Sequence, residues 1–102
     1  MSRTRMTPDA RKAQIMDAAL DVAARTNYRF MTREEVAETA GCSPGLITAY
    51  HGRIDSLRDD VMREAVKRAR LPIIAQGLAA RDPIAQAAPV DLQREALRGL
   101  AP

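Results

Sequence analysis

An all-α fold, a small helical bundle, is what this sequence predicts, on three observations. Aromatic residues make up only 3% of the chain while alanine is abundant, a balance that suits close-packed helices better than a β-sandwich. Apolar residues recur every three or four positions over several stretches. Proline, glycine, serine and threonine fall at the ends of those stretches, where helices start and stop. With 102 residues, one domain with a small core is the expectation.

The first helix is expected over Pro8 to Arg25, capped by Thr7, with Pro8 at a position that needs no N–H. Ile15, Ala18, Ala19 and Val22 share a face that Met16, Leu20 and Ala23 widen, broad enough to meet several partners. "TNYRFM" ends it and is expected to be a short extended link burying Tyr28, Phe30 and Met31. Thr32 and Glu35 then have capping-box spacing. They open a second helix that runs to about Ala40, with Val36, Ala37 and Ala40 inward. Gly41 is expected in a left-handed stop, since it has no Cβ to clash, and Cys42 points to the core. Ser43 caps a third helix with Pro44 in its first turn. That helix ends near His51, and Gly52 breaks it. A long fourth helix is expected from Arg53 or Ile54 to near Leu71, stopped by Pro72. Leu57, Val61, Ala65 and Ala69 form its stripe, with Met62 and Val66 beside them. "IIAQGLAA" is apolar enough for a short helix or flap. "VDLQREALRGL" is expected as an amphipathic helix capped by Asp91, with Leu92, Ala96 and Leu100 on one side.

Two short helices separated by a tight glycine-bearing break are the signature of a helix-turn-helix. In that arrangement the second helix enters the DNA major groove and the first lies across it. Ser43-Pro44-Gly45 leaves little bulk at the helix start, where free N–H groups and the positive dipole end favour phosphate. Ile47 is expected to anchor the helix inward. Gly45, Leu46, Thr48, Ala49 and Tyr50 are the candidate base readers. Thr48 can hydrogen-bond or offer its methyl, and Ala49 can lie against a thymine methyl. Thr32, Arg33, Ser43, Tyr50 and Arg53 are the candidate phosphate contacts.

From Arg11 to about Val61 the chain resembles the DNA-binding head of the TetR family of bacterial transcriptional regulators. The resemblance rests on Ile15, Ala18 and Ala19 in the first helix and on Thr32 opening the second. It continues through Val36, Ala37, Ala40, Gly41, Cys42, Ser43, Gly45 and Ile47, and ends at Leu57. It implies a three-helix head plus a longer fourth helix. The family usually has tyrosine at the position of Thr48, phenylalanine at that of His51 and lysine at that of Ile54. Its members normally carry a much longer helical body that binds an effector and dimerises. About 30 residues follow the expected fourth helix here, too few for a pocket of about 300–1,000 Å³. No small-molecule effector is therefore expected.

Composition narrows the alternatives. Residues 1–12 carry Arg3, Arg5, Arg11 and Lys12 against Asp9, which accounts for the whole net charge of +3. The expected organisation is a basic arm over 1–10, a helix-turn-helix domain over 11–71 and an Ala/Pro-rich segment over 72–102 serving oligomerisation or partner binding. One cysteine and one histidine leave no disulfide, metal set or nucleophile–base pair, so neither an enzyme nor a cofactor is expected. Glu34, Glu35 and Glu38 read as a solvated helix face. No apolar run approaches the roughly 18 residues of a membrane span, and a cytoplasmic protein is the expectation. The function expected is that of a small sequence-specific DNA-binding regulator. Its partner would be double-stranded DNA, bound as a homodimer or higher oligomer and controlled by concentration or a partner protein, in the manner of many phage regulators. The alternatives are a protein-interaction module on the same scaffold and a non-specific architectural DNA binder.

Overall fold

The computed structural model describes residues 6–99. Arg3 and Arg5 of the expected basic arm, and Leu100, lie outside the described residues. In chain order the helices are α1 (Pro8–Arg25), α2 (Arg33–Ala40), α3 (Pro44–His51), α4 (Ile54–Lys67), α5 (Leu71–Ala79), α6 (Pro83–Gln86) and α7 (Val90–Arg98). Among the described residues there is no strand.

The ends of the first three helices follow from their capping chemistry. The Thr7 hydroxyl accepts from the Ala10 N–H at 3.1 Å. The Thr26 hydroxyl closes the far end of α1 by donating to the Val22 carbonyl at 2.7 Å. At α2 the Thr32 hydroxyl accepts from the Glu35 N–H and the Glu35 carboxylate accepts from the Thr32 N–H, a reciprocal pair that satisfies two orphan donors. The inward face of α1 (Ile15, Ala19, Val22, Ala23) joins Val36 and Ala37 of α2, Ile47 of α3 and Leu57, Val61 and Met62 of α4 in one buried cluster.

The link between α1 and α2 is a turn, not the extended segment expected. The Phe30 and Met31 N–H groups both donate to the Asn27 carbonyl at 3.0 Å. Tyr28 and Met31 are buried, but Phe30 is 68% exposed. A turn points successive side chains in different directions, so only two of the three apolar residues reach the core. The Arg29 guanidinium covers the Phe30 ring, 5.4 Å from its centre.

Helix four also departs from expectation. It ends at Lys67, and Ala69 takes a left-handed φ of 56°. The Arg70 N–H donates back to the Ala65 carbonyl at 2.8 Å. Ala69 is exposed and does not extend the buried stripe. Pro72 marks the first turn of α5 rather than the end of α4, because proline fits a helix start without losing a hydrogen bond.

Beyond Pro72 the chain continues the same core. Ile73, Ile74 and Ala75 of α5, Ala85 of α6 and Ala96 of α7 belong to the cluster that holds Ile15 and Val36. The division expected at residue 71 therefore does not coincide with a gap in packing. Gly77 lets α4, α5 and α6 close together: a Cβ there would stand 2.5 Å from Met62 Cε and 2.7 Å from Ala85 Cβ. Asp91 lies in the first turn of α7 but does not cap it; Pro89 precedes the helix without a side-chain bond. The Gln93 amide secures that start by donating to the Gln86 and Ala88 carbonyls at 2.9 and 2.7 Å.

Three bonds tie the α1–α2 turn to the C-terminal helices. Gln76 accepts from the Tyr28 N–H at 2.9 Å and donates to the Ala23 carbonyl at 2.8 Å. The Tyr28 hydroxyl donates to Asp82 at 2.6 Å. Burial, and then the Asp82 carboxylate, push the Tyr28 phenol above its ordinary value of 10.0. The folded protein thus keeps a proton that the unfolded chain releases above about pH 10, so this contribution is complete below that pH and fades as pH rises further. Tyr28→Phe is expected to lower stability by about 1–2 kcal/mol at pH 7. In urea unfolding, its deficit against the parent protein is expected to shrink as pH is raised from 9 to above 11.

Candidate nucleic-acid interface

The α2–α3 corner is built from backbone needs. Gly41 holds φ 73° and ψ 35°, the left-handed region that costs other residues free energy. Its N–H donates to the Glu38 carbonyl at 3.3 Å, and the Cys42 N–H donates to that of Ala37 at 3.0 Å. Two of the carbonyls left over at the end of α2, those of Ala37 and Glu38, are thereby satisfied. Cys42 is half-buried and packs against the core rather than entering it fully. The Ser43 hydroxyl caps α3 by accepting from the Leu46 N–H at 3.3 Å. Gly52 ends α3 at φ 74° and ψ −140°.

Ile47 is fully buried and holds α3 to the bundle. His51, one turn on, is buried as well; Nδ1 lies 3.3 Å from an Asp60 carboxylate oxygen. A carboxylate only accepts, so Nδ1 carries the hydrogen of this contact, while Nε2 has no partner among the described residues. His51 thus packs in the core.

With Ile47 and His51 inward, helical periodicity turns Gly45, Thr48 and Ala49 outward, and all three are exposed. Leu46 and Tyr50 flank this ridge and are half-buried, Tyr50 packing its ring against the core. The five residues expected to read bases thus divide into three on the open face and two at its margin. No carboxylate lies on α3 itself.

Of the expected phosphate contacts, Thr32, Ser43 and Arg53 stand at the N-terminal ends of α2, α3 and α4. Thr32 and Ser43 are exposed, yet each hydroxyl already serves as a helix cap. Arg53 is exposed just ahead of α4. Arg33 reaches across from α2 to α3: its Nη1 donates to the Thr48 hydroxyl at 2.7 Å, while Nη2 keeps only a loose 3.9 Å pairing with Glu34.

Two bracing residues escaped the sequence reading. The Arg58 guanidinium donates to the Met31 carbonyl at 3.0 Å and to Asp55 at 3.2 Å, so α4 holds the chain just ahead of α2. Arg68 bonds Asp17 of α1 at 2.7 Å and Glu64 at 2.6 Å, which draws its pKa further up. Both sit in charged i,i+3 or i,i+4 patterns that read as ordinary solvated helix pairs. Nothing in sequence spacing marks a partner 27 or 51 positions away.

Among the described residues no group of three or more His, Cys, Asp or Glu is placed to hold a metal, and no helix is long and apolar enough to cross a membrane. Comparison of the chain with protein-family models, curated proteins and solved structures gives no match.

The corner can be probed by its glycine. A Cβ at Gly41 meets nothing within 4 Å, so Gly41→Ala is penalised by backbone conformation alone. The expected loss is about 1–2 kcal/mol in thermal or urea unfolding, and Gly41→Asn is expected to lose less.

Proposed function

We propose that this chain is a small sequence-specific DNA-binding transcriptional regulator of the TetR-like helix-turn-helix type, with α3 entering the major groove. The observation that carries the reading is the exposed ridge of Gly45, Thr48 and Ala49 on a helix anchored by Ile47. A ridge of small side chains lets the helix backbone approach base edges closely, with methyl groups placed for thymine. The free N–H groups at the starts of α2 and α3, with Thr32, Ser43, Tyr50 and Arg53, supply backbone contacts that fix register. One head of this size buries only about 600–1,000 Å² of surface on DNA. Strong specificity therefore calls for two copies on a repeated or palindromic site.

A protein-docking role is the second reading. It is favoured by Val90 and Leu97, which remain 60% and 49% exposed on α7.

Mobility shifts with fragments of the source genome, in a salt series with competitor DNA, separate the two. The expected result is a sequence-selective shift. Ala49→Glu is expected to weaken it by about 100-fold or more, through a carboxylate set against phosphate and base acceptors, with an unchanged melting temperature. Binding that falls steeply with salt but ignores sequence replaces specificity with architectural DNA binding. A folded protein with no DNA affinity that still forms a stable protein complex favours the docking role.

A further inference from the structure

We propose that Arg33 reads a guanine rather than gripping phosphate, and that Thr48 positions it. The inference rests on the DNA-binding reading above and deepens it.

The α3 ridge is poor in hydrogen-bonding side chains. Gly45 has no side chain and Ala49 only a methyl, so neither can donate or accept a hydrogen bond. Thr48 has one hydroxyl, and that group is engaged: it accepts from Arg33 Nη1 at 2.7 Å and lies 3.5 Å from the Pro44 carbonyl, within weak donating reach. Its proton is turned toward the helix backbone, away from any base. Thr48 is left with its methyl and one lone pair. The open ridge of α3 therefore distinguishes thymine methyls but has no free side-chain donor to offer a guanine, the Tyr50 hydroxyl standing at its margin.

Arg33 supplies that donor. The bond to Thr48 draws the guanidinium away from the start of α2 and onto the flank of the exposed ridge. A phosphate-gripping arginine would point along the outer edge of α2 instead. Thr48 takes one N–H of Nη1, Glu34 is 3.9 Å away, and the side chain is 43% exposed. The remaining N–H groups form a planar fork, the shape that matches O6 and N7 of guanine in the major groove. Holding the guanidinium in place before binding lowers the entropy lost when the fork closes on a base.

Selection of bound sequences from a randomised duplex pool tests this, using the full chain and the variants Arg33→Ala, Arg33→Lys, Thr48→Val and Thr48→Ser. Affinities are then measured on the selected site and its single-base changes across a salt series. The parent protein is expected to select one guanine per half-site. Arg33→Ala is expected to lose roughly 10- to 100-fold of discrimination at that base alone, with little change in salt slope. Lysine has no fork, so Arg33→Lys is expected to recover charge without recovering the guanine preference. Thr48→Val, which keeps the shape and loses the hydroxyl, is expected to weaken the same preference, and Thr48→Ser to retain it. A uniform loss across all sequences in Arg33→Ala, with a salt slope smaller by about one, overturns the proposal in favour of a phosphate contact. An unchanged selection profile in Arg33→Ala also overturns it. Both outcomes leave the DNA-binding reading standing, whereas failure of the folded parent to enrich any sequence removes that reading and the inference together.

Discussion

What α3 presents depends on the direction in which the chain leaves α1, and the side-chain amide of Gln76 braces that bend. Gln76 accepts from the Tyr28 N–H and donates to the Ala23 carbonyl, so one residue of α5 satisfies two backbone groups that a helix end and turn leave open. Buried backbone groups without partners are costly, and here the partner comes from some fifty positions downstream. Tyr28 adds its hydroxyl bond to Asp82, the residue whose other carboxylate oxygen caps α6. The turn that leads into α2 is thus held partly by Gln76 of α5 and by Asp82, the cap of α6.

The same constraint explains why the segment after Pro72 is structural. A three-helix head with a fourth helix laid on it leaves the apolar sides of α1 and α4 only partly covered. Ile73, Ile74 and Ala75 complete that cover, and Gly77 allows the close approach. Burying three such side chains contributes several kcal/mol at about 25 cal/mol per Å², a large share of the stability of a domain this size.

Much of this architecture is legible in the sequence, and the pattern of success has physical causes. Helix ends that rest on local chemistry read correctly: Thr7 with Pro8, Thr32 with Glu35, Gly41 ahead of Ser43-Pro44. Each involves residues within a few positions and a side chain with one obvious use. Misreadings arise where the residue type gives no sign of the backbone it takes. Ala69 carries no punctuation, because left-handed backbone normally announces itself through glycine, and Pro72 is equally compatible with an end and a beginning. Phe30 has the composition of a core residue, but a turn makes it face solvent. At the candidate site, periodicity alone separates Ile47 from Gly45 and Ala49. The Arg33–Thr48 bond joins two helices, and no local pattern encodes it.

The backbone of the molecule is not equally relaxed throughout. In the head, both left-handed positions, 41 and 52, are occupied by glycine. The two ends of α5 turn through Ala69 and Arg81 at φ 56° and 58°, where each side chain crowds its own carbonyl at a cost of about 1–2 kcal/mol. Evolution has left slack there. A glycine at either joint would ease that crowding, so a hardier version of this protein is within reach of a single codon whose change leaves the α3 ridge as it stands.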